Sequence, residues 1–250
     1  MKNKMYIGSC CGNKFVILDC LDSELSKKDK ADFAMKNIVK YKVDSALFFK
    51  KENENTISLE IFEKDGSQSE SCGNGMLLVS YLLDLKGGTV KLKNSVVMVE
   101  STSDTIMVFM DMRFSSIEKT GDQKFILVKI GEEPHIIDFV DDAKKFNLAE
   151  VGESLQKNYP EGVNFDALQK VDESHYLIRT YERGVFAETE SCGTGSLSSY
   201  LAISHLNDKI YENPIEFESK GGIHTVSVNK KTLKLETLKK FCTINKSSEM

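Results

Sequence analysis

One segment is written twice in this chain, and that duplication constrains the fold more than any other feature. Glu70-Ser71-Cys72-Gly73-Asn74-Gly75, with the apolar stretch that follows to Leu85, recurs 120 residues later as Glu190-Ser191-Cys192-Gly193-Thr194-Gly195 with a stretch to Leu206. The correspondence continues upstream in the same order. Phe62-Glu63-Lys64 matches Tyr181-Glu182-Arg183, Val43-Asp44 matches Val163-Asn164, and Gly12-Asn13 with Phe15–Asp19 matches Gly131-Glu132 with Ile136-Ile137-Asp138. Ordered matches near one spacing, 119 or 120 residues, mean a single structural plan used twice. The 250 residues therefore divide into two related lobes, 1–115 carrying Cys72 and 116–250 carrying Cys192.

Local patterns agree between the lobes. Runs of β-branched and aromatic residues bounded by Gly, Asn, Asp or Ser read as strands at 15–18, 45–49, 57–62, 89–98 and 105–110, and again at 125–130, 175–181, 215–218 and 225–228. Helical patterns are fewer: Ser26 to Val39, the two stretches after the Cys-Gly motifs, and Ala143 to Lys157. An excess of strands without strict strand–helix alternation predicts α+β lobes in which a mostly antiparallel sheet wraps a central helix.

Composition narrows the function. With 40% hydrophobic and 28% charged residues the chain can bury a core, and a net charge of −5 gives no broad attraction for nucleic acid or an anionic membrane. A small molecule is the expected partner. The most apolar run, Met76 to Leu85, is about half the roughly 20 residues that span a bilayer, and no signal peptide is expected from the residues after Met1. The six cysteines form no C-x-x-C pair, so free thiols in a cytoplasmic protein are expected, with no metal site and no disulfide framework. Cys10, Cys11, Cys20 and Cys242 read as buried filler, and Lys230-Lys231 as a hairpin turn.

A cysteine at a helix start lies where unpaired N–H groups and the helix dipole favour negative charge, so both motif thiols are expected to ionise below the free value of about 8.5. The flanking glycines let a ligand approach the first turn, whose N–H groups suit a carboxylate. If an approximate two-fold axis relates the lobes, the helix starts face one another across a cleft, with one sulfur on each side of a bound molecule. Two acid/base groups on opposite faces of a carbon can invert it: one removes the proton and the other supplies a new one. The dipoles would stabilise the carbanion-like transition state. No pyridoxal-binding lysine motif is evident, so the chemistry is expected to need no cofactor.

The two motifs, with Glu182-Arg183-Gly184 ahead of the second, resemble those of diaminopimelate epimerase and related cofactor-independent amino-acid racemases. Gly12-Asn13-Lys14-Phe15, the run from Phe62, Pro134-His135, Asn164 and Gly221-Gly222 follow in the family's order, so the likeness covers nearly the whole chain. It implies an active site in the inter-lobe cleft with Cys72 and Cys192 catalytic. It also implies that Gly73, Asn74, Gly193 and Thr194 hold the α-carboxylate, that Glu182 and Arg183 anchor the substrate, and that Asn13 and Asn164 contact it.

Departures from the family pattern bear on specificity. Glu63 and Glu133 stand where diaminopimelate-specific enzymes carry asparagines, and Ser45 stands near an expected glutamine; Lys14 and Met76-Leu77 also differ. Two carboxylates in a low-dielectric pocket repel a distal carboxylate and favour a distal cation or imidazole, as in histidine, lysine or ornithine. Arg183 argues the other way unless one of those glutamates neutralises it. The alternatives are a true diaminopimelate epimerase, and, in other classes, a thiol redox-responsive protein or an amino-acid-binding module without chemistry. The residues leave the choice between monomer and homodimer open, and His135 is divided between a structural and a site role.

Overall fold

Strand pairing repeats as the sequence does. The computed structural model describes residues 4–21, 25–120 and 125–246. The first copy runs β1 (Met5–Cys10), β2 (Asn13–Asp19), α1 (Lys27–Tyr41), β3 (Ser45–Lys51), β4 (Thr56–Phe62), β5 (Gln68–Ser69), α2 (Gly73–Leu83), β6 (Gly88–Lys91), β7 (Val96–Ser101), β8 (Thr105–Asp111) and β9 (Ser115–Lys119). The second runs β10 (Ile126–Ile130), β11 (Glu133–Phe139), α3 (Leu148–Gln156), β12 (Asn164–Lys170), β13 (His175–Glu182), β14 (Ala187–Thr189), α4 (Gly193–Leu206), β15 (Ile215–Ser219), β16 (Gly222–Asn229), β17 (Thr232–Leu238) and β18 (Cys242–Lys246). β1–β2 and β3–β4 are antiparallel whereas β2–β3 and β4–β6 are parallel. β10–β11, β12–β13, β11–β12 and β13–β15 reproduce that pattern in order. Each parallel step needs a crossover, and the four helices provide them.

The chain forms two compact units, Met1–Val108 with Thr237–Met250, and Phe109–Glu236. This corrects the expected division at residue 115. The final strand, β18, pairs with β1 in the first unit, while β9 pairs with β10 in the second. Backbone pairing explains it: β1 and β10 each have one edge left open by their hairpins, and a strand from the end of a copy satisfies it. No change of composition marks those strands.

Each unit places an apolar helix among its strands. Gly73 to Ser80 of α2 and Gly193 to Ile203 of α4 are buried. α2 touches β1, β7 and β18, and α4 touches β9, β10, β11, β12 and β16. The other helices cover the outside. α1 starts with a capping box between Ser26 and Asp29 and lays Ala34 and Ile38 on Val16, Phe48 and Phe62. Lys30 on this helix pairs with Glu60 of β4.

Two expected elements change. The run 89–98 is broken by a turn closed by Leu92 N–H on Ser95 O at 2.9 Å, leaving β6 and β7. α3 begins at Leu148 rather than Ala143, because the preceding backbone is engaged elsewhere: the Ala143 N–H donates to Gln169 at 2.9 Å and the Arg179 guanidinium donates to the carbonyls of Ala143 and Phe146 at 2.6 and 2.9 Å. Val43-Asp44 also shifts by one residue against its repeat, since Ser45 and Asn164 are the residues that open β3 and β12.

α3 packs on β13 through Gly152, where an added Cβ would stand 2.4 Å from Cγ of the buried Tyr181 ring. Gly152→Ala is therefore expected to destabilise the protein by about 1–3 kcal/mol, against the stabilisation alanine brings to an open helix position. Urea denaturation measures it; an unchanged or raised midpoint would refute the packing.

Candidate active site

The two motif cysteines cap the two central helices. Cys72 has φ −150° and ψ 110° and its sulfur accepts the Gly75 N–H at 3.3 Å. Cys192 has φ −134° and ψ 114° and accepts the Gly195 N–H at 3.4 Å. A sulfur thus takes the place of the usual capping oxygen for one of the N–H groups a helix start leaves over. Both cysteines are partly exposed, and the other four are buried. The second glycine of each motif serves the protein's own packing: a Cβ on Gly195 would lie 2.6 Å from Asp166 Oδ1, and one on Gly75 would lie 3.1 Å from Leu47.

In the first unit, Asn13 opens β2 and donates through Nδ2 to Asp44 at 2.9 Å, which turns its oxygen toward the Cys72 sulfur at 3.9 Å. Asp44 also accepts the Lys14 N–H at 2.7 Å. Ser45 and Ser69 donate their hydroxyls to the two Glu63 carboxylate oxygens at 2.8 and 2.5 Å. These form two clusters at the ends of β2, β3 and β4. Asn74 is buried in the first turn of α2.

In the second unit the expected residues form one continuous chain of contacts. Glu133 accepts from the Arg183 guanidinium at 2.8 Å, and the Arg183 N–H donates to Asn164 Oδ1 at 2.8 Å. Asn164 Nδ2 donates to Pro134 O at 3.1 Å and lies 3.3 Å from His135 Nε2. His135 Nε2 is 3.0 Å from the Thr194 hydroxyl, which is 3.3 Å from the Cys192 sulfur. Behind them Asp166 Oδ2 meets His135 Nδ1 at 2.7 Å, and Asp166 Oδ1 accepts the Thr180 hydroxyl at 2.6 Å.

The expectation of an acidic thiol fails at Cys192. Burial pushes this thiol well above its ordinary value, and the negative charges of Glu182 and Asp166 push it the same way. The hydrogen bonds from the Thr194 hydroxyl and, more weakly, the Gly195 N–H oppose them with smaller effects. Desolvation disfavours a thiolate more than one helix start favours it.

Strand register aligns the two sets. Asn13 corresponds to Glu133, and Ser45 to Asn164. Glu63 corresponds to Glu182, Lys64 to Arg183, and Asn74 to Thr194. Sequence reasoning missed Asp166, Thr180, Asp44 and Ser69. Asp166 left one trace, a carboxylate inside the otherwise apolar run from Phe165 to Leu168.

Among the described residues no group of three or more His, Cys, Asp or Glu is placed to hold a metal ion, and no helix is long and apolar enough to cross a membrane.

Known proteins carry the same plan. Residues 127–240 match a family described as "Diaminopimelate epimerase". A diaminopimelate epimerase of Methanocella arvoryzae is 31% identical over 224 residues, covering 78% of this chain and 79% of that protein. One of Aquifex aeolicus is 27% identical, covering 84% of each chain. Among solved structures, a Clostridium difficile protein titled a putative phenazine biosynthesis PhzC/PhzF protein superposes over 100% of both chains with a TM-score of 0.74 at 12% identity. A hydroxyproline epimerase of Agrobacterium vitis does so over 98% of this chain and 92% of its own with a TM-score of 0.61, also at 12% identity. At such identities the superpositions speak for the α+β fold alone. Relatives and site together define an isomerase of the racemase and epimerase class. The chain belongs to the diaminopimelate epimerase family.

Glu182 is the larger of the two charge effects on Cys192. Removing it in Glu182→Gln favours the thiolate, so iodoacetamide is expected to label Cys192 roughly three- to tenfold faster at neutral pH. Peptide mapping by mass spectrometry reads the rate; equal or slower labelling contradicts that electrostatic role.

Proposed function

We propose that the protein is an amino-acid racemase or epimerase that inverts an α-carbon without pyridoxal phosphate, using Cys72 and Cys192 as its two proton-transfer groups. One thiolate takes the α-proton onto sulfur, and the other thiol gives its proton to the opposite face of the carbanion-like intermediate. The first-turn N–H groups at Gly73, Asn74, Gly193 and Thr194 hold the α-carboxylate and stabilise the charge. Glu182, Arg183, Asn13 and Asn164 position the rest of the substrate. The observation that supports this reading is the identical capping geometry of two partly exposed cysteines on two buried helices.

The substrate we propose is a basic amino acid, histidine, lysine or ornithine. Support comes from the Arg183–Glu133 ion pair at 2.8 Å, which neutralises a cation suited to a distal carboxylate. Glu63, fixed by Ser45 and Ser69, adds a second carboxylate. The second reading, epimerisation of diaminopimelate, is favoured by the names of the relatives.

Incubation of the purified protein in deuterium oxide with histidine, lysine, ornithine and diaminopimelate separates the two. Label entering the α-carbon of a basic amino acid supports the first, and label in diaminopimelate alone overturns it. Cys72→Ser and Cys192→Ser are each expected to lower turnover by at least about 10²-fold while retaining ligand binding by calorimetry. Glu133→Asn frees Arg183, and should shift the kcat/KM ratio toward diaminopimelate by about tenfold, near 1.4 kcal/mol.

A further inference from the structure

Three buried thiols, Cys10, Cys11 and Cys242, meet where β18 docks on β1. Cys10 closes β1, Cys242 opens β18, and the antiparallel register sets them directly opposite each other. The adjacent pair carries the backbone hydrogen bond, from Cys11 N–H to Phe241 O at 3.0 Å. Cys10 and Cys242 therefore hold a non-hydrogen-bonded position, where facing side chains come closest and Cα atoms stand about 4.5 Å apart. A disulfide spans Cα separations of about 4.4–6.8 Å. The two sulfurs are 2.8 Å apart, so closing to the bond length of about 2.05 Å takes a shift of under about 1 Å.

Cys11 is a poorer partner for Cys10, although it lies within hydrogen-bonding reach of it. Consecutive Cα atoms are about 3.8 Å apart, short of disulfide range, and the Cys11 sulfur lies 3.2 Å from the Thr237 hydroxyl. The pair sits on the strand face that carries α2. Gly8, two residues before Cys10 and on the same face, would place a Cβ 3.3 Å from Leu78 of α2 and 3.3 Å from Ile244 of β18.

We propose that Cys10 and Cys242 are a redox-active pair that closes into a cross-strand disulfide under hydrogen peroxide and fastens β18 to β1. The site is separate from the two motif cysteines and stands whether or not the chain is a racemase. Cys242, 5% exposed against 0% for Cys10, is the sulfur that the oxidant reaches. It attacks one peroxide oxygen; the O–O bond breaks, the thiol proton leaves with the other oxygen as water, and a sulfenic acid remains. The Cys10 sulfur then attacks the Cys242 sulfur, the S–O bond breaks, and a second water carries off the Cys10 proton. Two thiols lose two electrons to one peroxide, giving one disulfide and two waters. Burial pushes the Cys10 thiol well above its ordinary value, with Cys11 and Cys242 acting in the same direction, so it keeps its proton until that second step. The two cysteines are 232 positions apart, and all of the second unit lies between them in sequence. A bond across so long a loop restricts the unfolded chain strongly and stabilises the folded one.

The test compares the native protein after peroxide and after dithiothreitol, by non-reducing peptide mapping and by thermal melting. The oxidised sample is expected to contain a Cys242 peptide joined to a Cys10 peptide, two hydrogens lighter than the separate peptides. Its melting temperature should lie about 5–10 °C above that of the reduced form. Cys10→Ala should lose both the link and the shift, and Cys11→Ala should keep both, each variant being compared with its own reduced form. Absence of the link, its persistence in Cys10→Ala, a bond between Cys72 and Cys192 in its place, or a link without a rise in melting temperature overturns the proposal. The native protein alone supplies the link and the shift, so a variant that fails to fold leaves the result standing.

Discussion

A sulfur atom accepting a backbone N–H at the start of a buried helix is the contact on which the rest of this structure depends. The helix must be apolar all round to sit among strands, so its first turn is the part that opens toward polar surroundings, and its N–H groups need partners. Cys72 and Cys192 answer that need at 3.3 and 3.4 Å. Leu47 of β3 and Asp166 of β12 come within 3.1 and 2.6 Å of where a Cβ on Gly75 and on Gly195 would stand. One helix start thus accounts for the cysteine and for the second glycine of each motif.

Around that shared frame the two copies have diverged in polarity. In the first unit Phe15, Leu47 and Ile61 complete an apolar core beneath the capped helix. In the second unit, histidine, aspartate and threonine fill the same space and satisfy one another, as buried polar groups must. The chemistry of the sulfur follows from what lies beneath it. Burial and two carboxylates hold Cys192 as a thiol despite its place on a helix dipole, a case in which desolvation outweighs a fractional charge.

The proposed specificity rests on a similar balance. Arg183 is attached through its N–H to Asn164 and through its guanidinium to Glu133, so its charge is matched within its own unit. The carboxylate of Glu63 is held by the hydroxyls of Ser45 and Ser69. In the proposed reading a ligand meets these groups as they are paired, and the pairing, more than the inventory of charges, sets which distal group is favoured.

Much of this was legible in the chain alone. The duplicated motif marked both helices and both sulfurs, because hydrophobic periodicity and glycine positions are local properties. The α+β class followed from the ratio of strand runs to helical runs. The sequence alone left open whatever depends on pairing between distant segments: the return of β18 to β1, the one-residue shift that aligns Ser45 with Asn164, and which of the two glutamates, Glu63 or Glu133, pairs with Arg183. The direction of the Cys192 shift belongs there too, since a thiol's ionisation is set by burial and by charges brought in from β12 and β13. Composition and spacing determined which chemical groups this protein has; only the packing of strands separated by tens of residues decided which of them touch, because hydrogen bonds and desolvation act over a few ångströms of space and are blind to distance along the chain.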